Sequence, residues 1–138
     1  MARRPRAQKT LTPQRLILDS GAVISWSRGN VRTRALLTRA LELGVDIRIP
    51  VAVLVETLRG GPGDAPVHRV RNAVDVMATT EQVGRMAGVL LGQTGGKNTL
   101  DALVAAEAIA LVADALTGDG DDMRELLSRH PEIAVIEI

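Results

Sequence analysis

Four acidic residues of this chain are embedded in apolar sequence. Asp19 directly follows the apolar run 16–18, Glu56 lies within the apolar stretch 51–58, Asp101 is enclosed by residues 100–104, and Asp119 follows the run 108–116. Taking a carboxylate out of water is costly unless its charge is compensated. These four positions are therefore the first candidates for a site that performs chemistry.

A divalent cation is the compensation that fits this set of residues. Two carboxylates about 4 Å apart repel by roughly 4 kcal/mol at an effective dielectric constant of about 20. Oxygen-only ligands favour hard ions such as Mg²⁺ or Mn²⁺, which keep waters and leave positions open for phosphate oxygens. The chain has no cysteine, and His68 and His130 stand alone in the sequence, which argues against a zinc site.

Each acid also has a simple structural explanation. Such explanations account for surface acids, whereas these four lie against apolar sequence, so together they favour a metal site. The individual alternatives are an Asx-turn at Asp19, an ion pair of Glu56 with Arg59, a favourable helix dipole at Asp101, and a helix cap formed by Asp119 or Asp121.

Predicted strands alternate with predicted helices along the whole chain. The strands are expected at 16–18, 45–49, 73–77, 113–116 and 134–138. The helices are expected at 22–27, 31–43, 50–58, 66–72, 80–91, 100–111 and 121–129. The apolar faces are expected to be Ala35, Leu36, Ala40 and Leu43 in the second helix, and Val51, Leu54, Val55 and Leu58 in the third.

This alternation predicts an α/β fold with a mainly parallel sheet covered by helices on both faces. Ligands of such sheets bind beyond the carboxyl ends of the strands, where all four acids can converge.

Length and composition indicate one globular domain. The chain has 138 residues, of which 46% are hydrophobic and 24% charged. No run of 18 uncharged apolar residues is present to span a bilayer, and a chain without cysteine suits the cytoplasm. Residues 1–15 carry five basic side chains and no acid, so we predict a disordered basic segment there, followed by one domain over 16–138. Contact of that segment with nucleic acid remains an alternative.

The sequence does not fit a phosphate-binding P-loop or a phospho-receiver domain. The stretch GQTGGKNT, residues 92–99, departs from a P-loop because Gly92 is one position too close to Gly96 and Asn98 replaces Ser or Thr. It predicts a turn between helices, whose Lys97 can reach a phosphate. A phospho-receiver domain needs an acidic pair after its first strand. Here the paired acids follow the fourth predicted strand, so the sequence does not fit that class of domain.

The four acid motifs together resemble a PIN domain, specifically the VapC-like toxin ribonucleases of toxin-antitoxin pairs. The matching stretches are LILDSGAVIS around Asp19, PVAVLVETLRG around Glu56, NTLDALVAAEA around Asp101 and ALTGDGDDMREL around Asp119. The first stretch departs from the commoner Asp-Thr-Ser-Ala of the family, because Ser20 and Gly21 replace Thr and Ser. If that hydroxyl orients a water, its role here falls to Ser20 or is lost.

The resemblance implies a three-layer α/β/α sandwich that hydrolyses RNA with water activated by Mg²⁺ or Mn²⁺. It implies that Asp19 and Asp101 ligate metal directly, and that Glu56 and Asp119 act through water or orient the nucleophile. Asp122 is expected to cap its helix and support the site from outside. Thr117 either contacts substrate or closes a turn. VapC-like proteins form homodimers and are inhibited by a small antitoxin, which implies both partners here.

Basic side chains near the acids are candidates for RNA contacts, although a solvated helix face explains them equally well. Positive charge for such contacts can come from several arginines, which are Arg28, Arg32, Arg34, Arg39, Arg59, Arg69 and Arg71. Of the basic side chains, we expect the contacts from Arg28, Arg32, Arg59 and Lys97. The chain has no Phe or Tyr, and we expect its single Trp26 to pack rather than to stack on a base. The alternative function is a catalytically inactive PIN-like module that binds RNA or protein.

Overall fold

The computed structural model describes residues 14–138, which form five strands and seven α-helices. The strands are β1 (Arg15–Leu18), β2 (Asp46–Pro50), β3 (Asp75–Met77), β4 (Asp114–Thr117) and β5 (Val135–Glu137). The helices are α1 (Ser20–Ser27), α2 (Val31–Glu42), α3 (Val53–Thr57), α4 (Ala65–Ala73), α5 (Glu81–Thr94), α6 (Thr99–Leu111) and α7 (Gly120–Leu126), and a 3₁₀ turn at Pro62–Asp64 precedes α4.

The five strands form one parallel sheet in the order β3-β2-β1-β4-β5. In the register of the central strand, Leu16 lies opposite Ile47 of β2 and Asp114 of β4. Connections leaving β1 run toward β3, whereas the connection into β4 returns past β1. Because such crossovers are right-handed, the two sets of helices cover opposite faces. The predicted parallel α/β/α architecture is confirmed, and its switch point lies between β1 and β4.

The core lies on both faces of the sheet. Helices α2, α3 and α4 pack around α1 on one side, and α5 and α7 pack against α6 on the other. Leu16, Ile17 and Leu18 are each at most 1% exposed. A central parallel strand buries both of its faces, which explains why its sequence is continuously apolar instead of alternating.

The predicted apolar face of α3 is wrong for Val51 and Val55, which are exposed, whereas Leu54 and Leu58 pack against the core as predicted. Pro50 ends β2 instead of starting the helix, and α3 begins only at Val53. The later start rotates the buried face, so that Val53 and Thr57, one turn apart, are buried while Val55 is 70% exposed.

The predicted face of α2 is also shifted. It buries Thr33, Leu37 and Ala40, whereas Leu43 is about half exposed. The reason is the N-cap, where Asn30 accepts a hydrogen bond from the backbone of Thr33 and Ser25 pairs with the Thr33 hydroxyl. These hydrogen bonds pair the backbone N–H and the hydroxyl of Thr33, so its side chain can be buried.

The predicted basic segment of residues 1–15 lies, up to residue 13, outside the described residues and stays a prediction. Arg15 belongs to β1, and its guanidinium donates to the carbonyl of Leu111 at 2.8 Å. Among residues 14–138, no helix is long and apolar enough to cross a membrane.

Candidate metal site

Asp19 stands at the switch point, immediately after β1, and is 3% exposed. It is the N-cap of α1, and its Oδ1 accepts a 2.8 Å hydrogen bond from the backbone N–H of Ala22. Burial raises the pKa of Asp19 and the charge of Glu56 adds to that increase, while hydrogen bonds from Thr117, Ala22 and Gly118 offset part of it. The aspartate is thus both a helix cap and a carboxylate held at a fixed position.

Thr117 connects the ends of β1 and β4. Its side chain is fully buried, its hydroxyl donates to Oδ2 of Asp19, and it accepts a 2.8 Å hydrogen bond from the backbone of Asp119. Of the two roles that the sequence left open, the buried position favours closing the turn over contact with substrate. Thr117 orients Asp19 and the start of the Asp119 loop at once.

Gly21 and Gly118 let the two chain segments approach closely, a role that was not predicted from the sequence. A Cβ on Gly21 would lie 2.9 Å from the Cα of Gly118, which is closer than real Cβ contacts. The approach brings the Gly118 amide within 3.3 Å of both carboxylate oxygens of Asp19. Gly21 stands where the family more often has Ser, and that departure was the available signal.

Asp101 is the most perturbed acid of the edge. Asn98 caps α6 by accepting from the backbone N–H of Asp101 at 3.0 Å, which fixes Asp101 in the first turn. Its side chain is 8% exposed. Burial, followed by the charges of Asp19, Asp122, Asp119 and Glu56, raises the pKa of Asp101 to about 6. All four predicted acids therefore lie close enough to interact, and Asp122 joins them.

Asp119, and not Asp122 as predicted, caps α7, and Asp122 joins the acid cluster. Asp119 is the N-cap of α7 and its Oδ1 accepts from the backbone of Asp122 at 3.3 Å, so the prediction that Asp122 caps this helix is wrong. The helix starts at Gly120, which places Asp122 in the first turn. A hydrogen bond with Asp119, followed by the charge of Asp119, raises the pKa of Asp122.

Asp101, Asp119 and Asp122 form the tightest acidic group among residues 14–138. One carboxylate oxygen of each lies within 4.8 Å of those of the others. The donors are all oxygens, which suits Mg²⁺ or Mn²⁺, and two of the three acids are exposed enough to keep water on an ion. Asp19 and Glu56 lie beside this group, Asp19 buried and Glu56 exposed. The donor set therefore fits a hard divalent cation.

The remaining candidate residues flank this group. Arg28 and Arg59 line a cavity that also includes Glu56, and Lys97 lines another with Asp122. The guanidinium of Arg59 donates to the carbonyls of Val55 and Leu58. Within residues 14–138 it forms no ion pair with Glu56, so the alternative explanation of Glu56 is wrong.

Two predicted residues have a less defined place. Arg32 lies on the exposed surface of α2, and neither of these two cavities includes it. Ser20 is half-buried at the start of α1, and its hydroxyl makes no hydrogen bond to any residue from 14 to 138.

Comparison with known proteins bears on the fold. The sequence matches no family model. It matches none of the curated proteins either. The structure is similar to VapBC2 from Rickettsia felis bound to a DNA fragment from their promoter, with a TM-score of 0.72 and 17% identity over 90% of this chain and 98% of that chain.

Two further structures are similar. FitAcB from Neisseria gonorrhoeae gives a TM-score of 0.64 and 18% identity over 88% of this chain and 96% of that one. A toxin-antitoxin complex from Klebsiella pneumoniae gives 0.67 and 18% over 89% and 99%. At these identities the likeness shows the fold, and in that respect it confirms the predicted resemblance to VapC-like PIN domains.

Proposed function

We propose that this protein is a Mg²⁺- or Mn²⁺-dependent endoribonuclease and the toxin of a toxin-antitoxin pair, acting in the cytoplasm. The observation that carries the proposal is the position of Asp101, a buried carboxyl whose pKa is raised to about 6 beside four other acids at the switch point. Such a cluster is a poor surface for RNA by itself, since phosphate and carboxylate repel. A cation in the cluster turns that repulsion into attraction.

Asp101, Asp119 and Asp122 are the residues that would hold the cation, with Asp19 and Glu56 beside them. A bound divalent cation supplies a water of lowered pKa and stabilises negative charge on the phosphate. Glu56 is exposed at the edge of the cluster, where its carboxylate can accept a proton from an attacking water. Asp19 is held by Thr117 and Gly118 and fixes the geometry of that edge.

Positive charge on both sides of the acids supports a nucleic-acid substrate. Arg28 and Arg59 lie on the side of Glu56, and Lys97 lies on the side of Asp122. A phosphate backbone laid between them would pass over the acids with its own charges compensated.

The test is cleavage of labelled structured RNA by the purified chain. We expect cutting that requires Mg²⁺ or Mn²⁺, stops in excess chelator, and is lost in Asp101→Asn. Glu81→Gln, which changes an exposed acid of α5, serves as the matched control and should cut normally. Cutting that persists in Asp101→Asn with chelator would refute the proposal. Absence of cutting together with no heat of Mn²⁺ binding would favour an inactive RNA- or protein-binding module.

The toxin assignment has its own test. One of the similar structures is described as a toxin-antitoxin complex, and on that basis we propose a small antitoxin partner for this chain. The homodimer is proposed from the resemblance of the four acid motifs to VapC-like proteins. Expression of the chain alone should arrest growth, and expression of a neighbouring small gene should relieve the arrest. Unimpaired growth with active enzyme present would separate the nuclease from the toxin role.

A further inference from the structure

Two adjacent cavities extend from Glu56, at the edge of the acid cluster, around the end of α1. The first is a cavity of 480 Å³ beside Glu56, lined by Arg28 and Arg59. The second is a cavity of 310 Å³ between α1, α2 and α4. Ser27 and Pro66 belong to the walls of both cavities, so the two are adjacent. We call the two cavities together the arginine groove.

The second part of the arginine groove combines an aromatic ring with two cations. Trp26, Arg34 and Arg69 line it. Trp26 is half-buried, so that one part of its ring packs on the core while the rest lines the cavity. It is the only Trp in a chain without Phe or Tyr, so it is the only large aromatic ring on which a base can stack. The guanidinium groups of Arg34 and Arg69, which line the same cavity, can hold the phosphate that accompanies the base.

The groove cations take part in no ion pair within residues 14–138, although one of them, Arg59, donates to the backbone carbonyls of Val55 and Leu58. Ion pairs within residues 14–138 use Arg39, Arg48, Arg85 and Arg124, and none of them uses the groove arginines, which are Arg28, Arg34, Arg59 and Arg69. Glu56 and Asp64 are the acids of the groove, and the carboxylate of Asp64 accepts from the backbone amides of Arg59 and Gly60. The groove therefore has excess positive charge next to an acidic site, which attracts a polyanion.

We propose that the arginine groove is the path of single-stranded RNA into the acid cluster, with a nucleotide seated at Trp26, Arg34 and Arg69. This inference rests on the proposed nuclease function, because the groove begins at Glu56. An acidic peptide would also meet the arginines. The aromatic surface beside two cations and the adjacency to a site for phosphodiesters favour RNA.

The single Trp provides a direct test. The full chain carrying Asp101→Asn, in chelator, is titrated with a mixed-sequence single-stranded RNA of about 12 nucleotides while Trp26 emission is recorded. We expect the emission to be quenched on binding. Arg34→Ala with Arg69→Ala should weaken binding about tenfold and lower the slope of log affinity against log salt by roughly 1.4, which is two phosphate contacts.

The matched control removes two arginines outside the groove. Arg39→Ala with Arg85→Ala deletes the same charge from exposed side chains that already pair with Glu42 and Glu81. It should bind RNA with nearly unchanged affinity. If the two double variants bind RNA equally, or if saturating RNA leaves Trp26 emission unchanged, the groove is not the RNA path. Quenching by an acidic peptide but not by RNA also overturns the proposal and identifies a peptide surface instead.

The outcome is separable from that of the nuclease test. Metal-dependent cutting by the wild-type chain with silent Trp26 keeps the nuclease and removes the groove. Groove-dependent binding without any cutting supports the groove as an RNA site and removes the nuclease.

Discussion

Helix α6 carries two buried acids whose surroundings differ. Asp101 and Glu107 lie six residues apart on α6 and are 8% and 4% exposed. Burial raises the pKa of both, but four other acids act on Asp101, whereas burial alone acts on Glu107. A solitary buried acid is relieved by a proton. A cluster of acids holds more charge than one proton can neutralise, so the comparison separates a residue that the fold merely tolerates from one that favours a cation.

The largest expected difference between the two acids is in catalysis. Asp101→Asn should lower RNA cleavage by roughly 10³-fold, about 4 kcal/mol in the activation free energy, because it removes a ligand from the cluster. Glu107→Gln should leave cleavage within about twofold, since it lies about 9 Å further along the helix axis. Single-turnover cleavage of one labelled RNA measures both. Equal losses in the two variants would contradict the distinction.

The second difference is in stabilisation by metal. Mn²⁺ at about 100 times its dissociation constant should raise the free energy of unfolding of the wild-type chain by about 2.7 kcal/mol. Glu107→Gln should keep this gain, and Asp122→Asn should lose most of it, because Asp122 belongs to the group of three close carboxylates. Urea unfolding with and without Mn²⁺ measures the effect. A full gain in Asp122→Asn would exclude that residue from the site.

The third difference appears without metal and depends on pH. The folded state holds the Asp101 proton up to its raised pKa of about 6, whereas the unfolded state loses the proton near the ordinary aspartate pKa of 3.8. Stability therefore falls as the pH rises between these values and stays low above them. Asp101→Asn should stabilise the metal-free chain at pH 8 by roughly 2 to 3 kcal/mol and by little at pH 3.5. Urea unfolding in chelator at both pH values checks this, and a loss of stability at pH 8 would contradict it.

The smallest effect is expected for Glu107→Gln. It too should stabilise the chain above the pKa of Glu107, with or without Mn²⁺, but by less than Asp101→Asn because no neighbouring acid adds to the burial. Glu81→Gln, at an exposed ion pair, should change stability by no more than about 0.5 kcal/mol at pH 8. A Glu107→Gln gain that disappears with Mn²⁺ would link Glu107 to the metal site after all.

The sequence predicted the parts of the site that depend on local patterns at a strand end or a helix start. Asp19 follows an apolar run and Asp101 follows a helix cap, and both positions result from local patterns. The exchange between Asp119 and Asp122 depends on where α7 starts, which the β4 loop determines through Thr117. A shift of one residue at a helix start is beyond what propensity specifies, because several acids there can serve as cap.

Other features arise only from the tertiary structure. The contact of Gly21 with Gly118 joins residues far apart in the chain, so the unusual Gly21 marks the position but does not indicate its partner. The face of α3 was wrong because β2 extends through Pro50, where the next backbone amide, that of Val51, donates to Met77 of β3. Glu107 had a signal that was missed, since it is the only charged residue between 102 and 113.

Asp19 both caps α1 and belongs to the acid cluster, and this determines the order in which the acids of the site would be lost in evolution. Its carboxylate caps α1 and receives Thr117 and the Gly118 amide, so losing it costs the fold as well as the chemistry. Losing Asp101, in contrast, relieves crowded charge. If the proposed RNA cutting is the activity under selection, descendants released from it should lose Asp101 early while Asp19 persists. A retained Asp19 would then reflect the architecture and not the activity.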